Sequence, residues 1–164
     1  MTAIDLHKLA NPAETLHRCC ACDAWVNAML GAGPFPDPTA LREAVSRIWW
    51  QLEEKDWLEA FAGHPTIGDL TQLREKFAAT AQLSANEQAG VTQASSDTLA
   101  QLAAGNQVYQ AKFGFIFIVC ATGKSANDML TLLKTRLKND PQEELRIAAE
   151  EQLKITLLRL EQCL

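Results

Sequence analysis

The chain has 164 residues, a formal net charge of −5 and a hydrophobic fraction of 48%, enough for one domain that buries roughly 70% of the surface its unfolded form exposes. Acids and bases are interspersed, with no basic stripe to track a phosphate backbone, so nucleic acid is not an expected partner.

In chain order, the first predicted helix runs from Pro12 to Leu30, with Asn11 as N-cap, Pro12 at the first helical position and Gly31 as the stop. GAGPFPDP, residues 31–38, reads as a loop. Helical spacing returns from Thr39 to Phe61, where Leu41, Val45, Ile48, Trp49 and Leu52 recur at threes and fours, with a break marked by Glu53-Glu54-Lys55-Asp56. A short helix is expected over Thr71–Thr80 and another begins at Ser84. Asp97–Phe113, Ser125–Leu137 and Pro141–Leu164 complete an all-α reading, a single-domain helical bundle over residues 1–164. GFIFIVCATG favours strand by its aromatic and β-branched content but has no strand to pair with. It reads as a buried irregular segment or short helix. Its apolar run of residues 113–121 is about half of the roughly 20 residues a membrane span needs, so no membrane is expected.

Several short stretches invite chemistry. GHPTIGD, residues 63–69, interrupts a helix just after Trp57, Leu58 and Phe61. Pro65 pushes the preceding residue toward extended geometry, so His64 is presented from a fixed, non-helical position rather than as one more helical residue. Alone, such a histidine has an ordinary reading as a satisfied, half-buried side chain. ATGKSA ends like a phosphate loop, but the glycine required five residues before Gly123 is Ile118, so no nucleotide site is expected. RCCACD belongs to an odd set of five cysteines that cannot all pair; with no secretory leader in view, it points to a reducing cytoplasm. His17, Cys19, Cys20 and Cys22 offer a zinc reading through C-x-x-C spacing, weakened because Cys120 and Cys163 stand alone.

LSANEQAG has two readings. Ser84 and Glu87 fit a capping box, and with Gln88 they equally supply a carboxylate, a carboxamide and amide donors within one turn, a wall suited to a polar heterocycle. Arg159 lies near a helix C-terminus, where a cation suits the macrodipole. Counting back from it by fours and threes gives Thr156, Gln152, Ala149 and Leu145, a mixed face that can line a pocket. A non-catalytic alternative is an interaction module docking through Trp49, Trp50 and Phe35.

Taken together, GHPTIGDL, LSANEQAG, NQVYQAKFGFIFIVCATGKS and AAEEQLKITLLRL, in this order over roughly residues 61–160, resemble the family of 2-oxo-4-hydroxy-4-carboxy-5-ureidoimidazoline (OHCU) decarboxylases. The resemblance implies an all-α, cofactor-free, typically homodimeric enzyme that decarboxylates OHCU to (S)-allantoin in urate breakdown. It makes His64 the catalytic histidine and proton donor, with Pro65 beside it in the pocket; the chemistry then leaves Glu87 either to accept from and orient the substrate hydroxyl or to share a proton with His64. Ser84, Glu87 and Gln88 would contact substrate, backbone groups of Phe117, Ile118, Val119, Cys120 and Ala121 would hydrogen-bond it, and Arg159 would close the site. Where the family has FGFPF this chain has FGFIF, with Ile116 in the proline's place. The ending EQCL fits a bacterial cytosolic member rather than one with a peroxisomal tail.

Overall fold

The computed structural model describes residues 3–64, 89–120 and 122–164, with side chains described from residue 97 onward in the second stretch. It forms two compact units, Met1–His64 with Ala149–Leu164, and Pro65–Ala148. Among the described residues every regular element is helical, apart from a single antiparallel bridge between Ile4 and Phe35. No described helix is long and apolar enough to cross a membrane.

In the first unit, a 3-10 turn at Leu6–Lys8 precedes four helices: α1 (Pro12–Cys19), α2 (Asp23–Ala32), α3 (Pro38–Gln51) and α4 (Glu54–Ala62). The single helix expected over Pro12–Leu30 is thus two. The backbone is extended at Cys20 (φ −153°, ψ 111°) and Cys22 (φ −134°, ψ 113°). A new helix start exposes free amides, and the one on Asp23 donates to the Glu59 carboxylate at 2.8 Å, a cap supplied by α4 from 36 positions away. Asn11 precedes α1 as expected, yet it adopts φ 49° and makes no side-chain cap bond, a left-handed conformation that asparagine tolerates. Gly31 does not stop α2, which runs on through Ala32 to Gly33.

The expected break after α3 is present. Asp37 caps α3 by accepting from the Ala40 amide at 2.8 Å, and Glu53 and Asp56 form a reciprocal capping box that starts α4. The aromatic docking patch of the interaction-module reading is not there. Phe35 and Trp49 are buried, and Trp50 is half-buried with its ring edge-on to Trp57 at 5.6 Å. Trp49 Nε1 donates to the Ala149 carbonyl at 3.0 Å, and its own carbonyl accepts from Trp57 Nε1 at 3.0 Å.

The second unit contains α5 (Ala89–Phe113), which starts earlier than the expected Asp97, and α6 (Ala126–Arg136). The predicted helix over Thr71–Thr80 and the one beginning at Ser84 lie outside the described residues. α5 stops at Gly114, whose φ of +82° and amide bond to the Gln110 carbonyl make it the left-handed terminator that the KFGF stretch supplies. Ser125 and Asp128 exchange bonds of 3.1 Å to start α6. Leu99, Leu102 and Tyr109 pack with Ala126, Met129, Leu130 and Leu133, with Phe113, Phe115, Phe117 and Val119 against that core. Gly105 allows the approach, since a Cβ there would sit 2.6 Å from Leu133 Cδ2.

The GFIFIVC stretch after Gly114 is neither helix nor strand, matching the irregular alternative of the sequence reading; Ile118 and Cys120 are buried. Two of its carbonyls are met by side chains. The Ile118 carbonyl accepts from Arg136 Nη1 at 2.6 Å and the Cys120 carbonyl from Lys124 Nζ at 2.7 Å. The last helix, α7 (Pro141–Cys163), gives its residues up to Ala148 to the second unit and those from Ala149 to the first.

Candidate active site

His64 is placed by the way α4 ends. The Gly63 and His64 amides turn back to the Ala60 and Phe61 carbonyls, each at 3.2 Å, closing the last turn. Gly63 is needed for close approach, not for unusual dihedrals, because its φ is −74°. A Cβ at Gly63 would overlap the Ala21 methyl in the extended link between α1 and α2. Glu59 and Gly63, one turn apart, therefore dock α4 on that link, and His64 follows directly. Gly63→Ala is expected to destabilise the protein by about 1 to 3 kcal/mol through overpacking, and Ala21→Gly in the same chain should recover most of the loss, as two touching sites do not add. Urea melts of both single variants and the double variant check this. Independent, additive effects would mean that the two positions do not meet.

The His64 ring is half-buried, and its Nε2 lies 2.5 Å from Gln152 Oε1. Gln152 is fully buried on α7, and its Nε2 donates to Thr156 Oγ1 at 3.0 Å. The Thr156 hydroxyl donates to the Gln152 carbonyl at 2.9 Å, and Cys20 also hydrogen-bonds its side chain. Arg159, exposed, continues this face of α7 and donates from Nη1 to the Arg18 carbonyl at 3.2 Å. Of the residues counted back from Arg159, Thr156, Gln152, Ala149 and Leu145 are each buried.

In the second unit, Phe117, Ile118, Val119 and Cys120 form the irregular segment held by Arg136. Arg136 Nε and Nη2 donate to Glu144 Oε2 at 2.8 and 2.5 Å, and Tyr109 Oη donates to the same oxygen. Asn139 Nδ2 occupies the other, Oε1, at 3.1 Å. The guanidinium lies 4.5 Å over the Phe117 ring. Burial, then the bond to Glu144, pushes the Tyr109 phenol well above its ordinary value, so it remains a donor. Pro65, Ser84, Glu87, Gln88 and Ala121 lie outside the described residues.

Two features escaped the sequence reading. Gln152 was legible only as one member of a mixed face, not as the partner of His64. Glu144 looked like an ordinary acid in the first turn of a helix, where the dipole favours it. The zinc reading is not supported. Among the described residues no group of three possible metal ligands forms. His17 Nε2 faces Asp23 at 3.9 Å and Cys19 Sγ faces Cys163 Sγ at 4.0 Å. Burial pushes the Cys19 and Cys20 thiols up to about 12, whereas structural zinc takes thiolates.

An all-α protein whose fold pins a histidine by one ring nitrogen to a buried carboxamide is the class of molecule to be matched. The model of one family, OHCU decarboxylase, matches residues 8–161. A relative from Arabidopsis thaliana, uric acid degradation bifunctional protein TTL, is 42% identical over 146 residues, covering 87% of this chain and 44% of its own length. A Xenopus laevis 2-oxo-4-hydroxy-4-carboxy-5-ureidoimidazoline decarboxylase is 34% identical over 123 residues, covering 75% of this chain and 61% of its own. The crystal structure of an OHCU decarboxylase in the presence of (S)-allantoin superimposes with a TM-score of 0.72 at 37% identity, covering 92% of this chain and 96% of that one. The chain belongs to the OHCU decarboxylase family. It spans 44% and 25% of the Arabidopsis and Bacillus bifunctional relatives it matches.

Proposed function

We propose that the protein decarboxylates OHCU to (S)-allantoin in urate degradation, without a metal or organic cofactor, with His64 as the proton donor. The observation that carries this reading is His64 at the end of α4 with Nε2 on the buried Gln152, in a chain matched to this family over residues 8–161. Loss of CO2 leaves an electron pair on the ring carbon, and many enzymes bring pyridoxal phosphate or thiamine to receive it. Here the adjoining C=N bond of the substrate accepts the pair, and a proton must then be added to carbon. The protein's part is to hold the C–CO2 bond perpendicular to the ring, to strip water from the carboxylate and to supply that proton on one face.

An imidazole titrating near neutrality suits the acid's role. Glu87 would orient the substrate hydroxyl or share a proton with His64, Ser84 and Gln88 would meet the polar ring substituents, and Pro65 would stand beside the histidine. Backbone groups of Phe117–Ala121 would hydrogen-bond the substrate. Arg159 would pair with retained carbonyl oxygens, since clamping the departing carboxylate would stabilise the ground state more than the transition state. The family resemblance supports a homodimer, and the reduced cysteines a cytoplasmic setting.

The test is circular dichroism of allantoin formed from freshly generated OHCU with and without the protein. Faster loss of OHCU with a single-handed product, unchanged by EDTA, is expected. A racemic product at the uncatalysed rate overturns the reading, and activity lost to EDTA and restored by zinc overturns its cofactor-free part.

A further inference from the structure

We propose that Gln152 is the positioning residue of this site: its buried carboxamide oxygen keeps a proton on His64 Nε2, so that Nδ1 is the nitrogen that delivers the proton to substrate. The inference rests on His64 being the acid.

The orientation of the carboxamide follows from what Thr156 can do. A hydroxyl has one proton to give and two lone pairs to receive with. The Thr156 proton is committed to the Gln152 carbonyl at 2.9 Å, so its oxygen can only accept from the Gln152 side chain, 3.0 Å away. Gln152 must therefore point its NH2 at Thr156 and its oxygen at His64. An amide oxygen only accepts, which requires a hydrogen on His64 Nε2.

This bond is the same before and after proton transfer. The imidazolium carries hydrogens on both nitrogens, and loss of the one on Nδ1 leaves the Nε2–H tautomer already paired with Gln152. Loss from Nε2 would instead leave a lone pair facing the carboxamide oxygen. One step then has a single outcome: the C–CO2 bond breaks, its electron pair enters the ring, the proton leaves Nδ1, and neutral His64 remains fixed for reprotonation from solvent. The full burial of the Gln152 carboxamide has its reason here.

The experiment compares Gln152→Met, close in shape but without the acceptor, with Gln152→Glu and His64→Ala. Gln152→Met is expected to lower kcat about tenfold to a hundredfold, the range seen when groups that orient imidazoles are removed, with little change in KM. Gln152→Glu sets a carboxylate on the ring and should move the alkaline limb of the kcat/KM profile up by about one to three units, because an adjacent opposite charge favours the imidazolium. Long-range proton–nitrogen spectra of 15N-histidine protein, assigned by loss of signals in His64→Ala, should show neutral His64 as the Nε2–H tautomer in wild type and a tautomer mixture in Gln152→Met. If Gln152→Met does not fold, Gln152→Glu alone decides through its pH profile. An Nδ1–H tautomer in the wild type, or variants with wild-type kcat and pH profile while His64→Ala is inactive, overturns the inference and leaves the catalytic reading standing. An active His64→Ala overturns that reading itself.

Discussion

His64→Ala is expected to yield allantoin with no net optical activity, at close to the rate seen without protein. OHCU carries its own electron sink and so loses CO2 unassisted, and the free intermediate takes its proton on either face. In the proposed function, what the protein adds is one acid on one side. Removal of a single general acid costs about 10² to 10⁴ in rate, roughly 2.7 to 5.4 kcal/mol of barrier, and for a substrate that already decays this leaves little above background. The structure adds a stability consequence, because the variant strands Gln152 Oε1 in a fully buried position. An unmet buried acceptor costs about 1 to 3 kcal/mol, within the reserve of a typical domain. His64→Gln carries an amide donor near the place of Nε2 and should recover that stability without recovering handed product. Circular dichroism of the product and thermal melts of both variants separate the two effects. The same optical signal at the same rate from His64→Ala would remove His64 from the chemistry.

The placement of His64 was half legible in the sequence. Pro65 announces that the helix must end, and the glycine before His64 invites a turn, so a histidine fixed at a helix terminus follows from local rules. Its partner does not, because Gln152 is 88 positions away and a buried glutamine has no local signature. The same division runs through the fold. Breaks made by local chemistry were readable: the Glu53–Asp56 box, the Gly114 stop and the Ser125 start each satisfy their amides or dihedrals within a few residues. The break at Cys20–Cys22 was not, because its new amide is met by Glu59 from another helix and its shape by Gly63. GFIFIVC shows tertiary context overriding propensity. Strand-prone residues form no strand there, and Arg136 and Lys124 meet two of their carbonyls.

Arg136→Met should be the most destabilising single substitution in the second unit. Glu144 is fully buried and receives Arg136 twice, Tyr109 once and Asn139 once. Removing the guanidinium leaves a carboxylate with neutral donors only, in a place that water does not reach. Breaking one side of such a buried pair costs about 3 to 5 kcal/mol, which for a chain of this length lowers Tm by roughly 6 to 20 °C. Replacing both partners, Arg136→Met with Glu144→Leu, removes the stranded charge and should regain much of the loss, since apolar substitutes for a buried ion pair are often neutral or better. Stability and activity should then part company. The double variant still lacks the donor that held the Ile118 carbonyl and the cation over Phe117, so the segment proposed to hydrogen-bond substrate has lost its anchor and KM should rise. Melting curves and kinetics of the single and double variants test this together. A single variant that melts within 2 °C of wild type, on the order of a surface change, would mean that Glu144 does not carry a buried charge. A double variant with wild-type KM would mean that Arg136 serves the core of this unit and not the segment it grips.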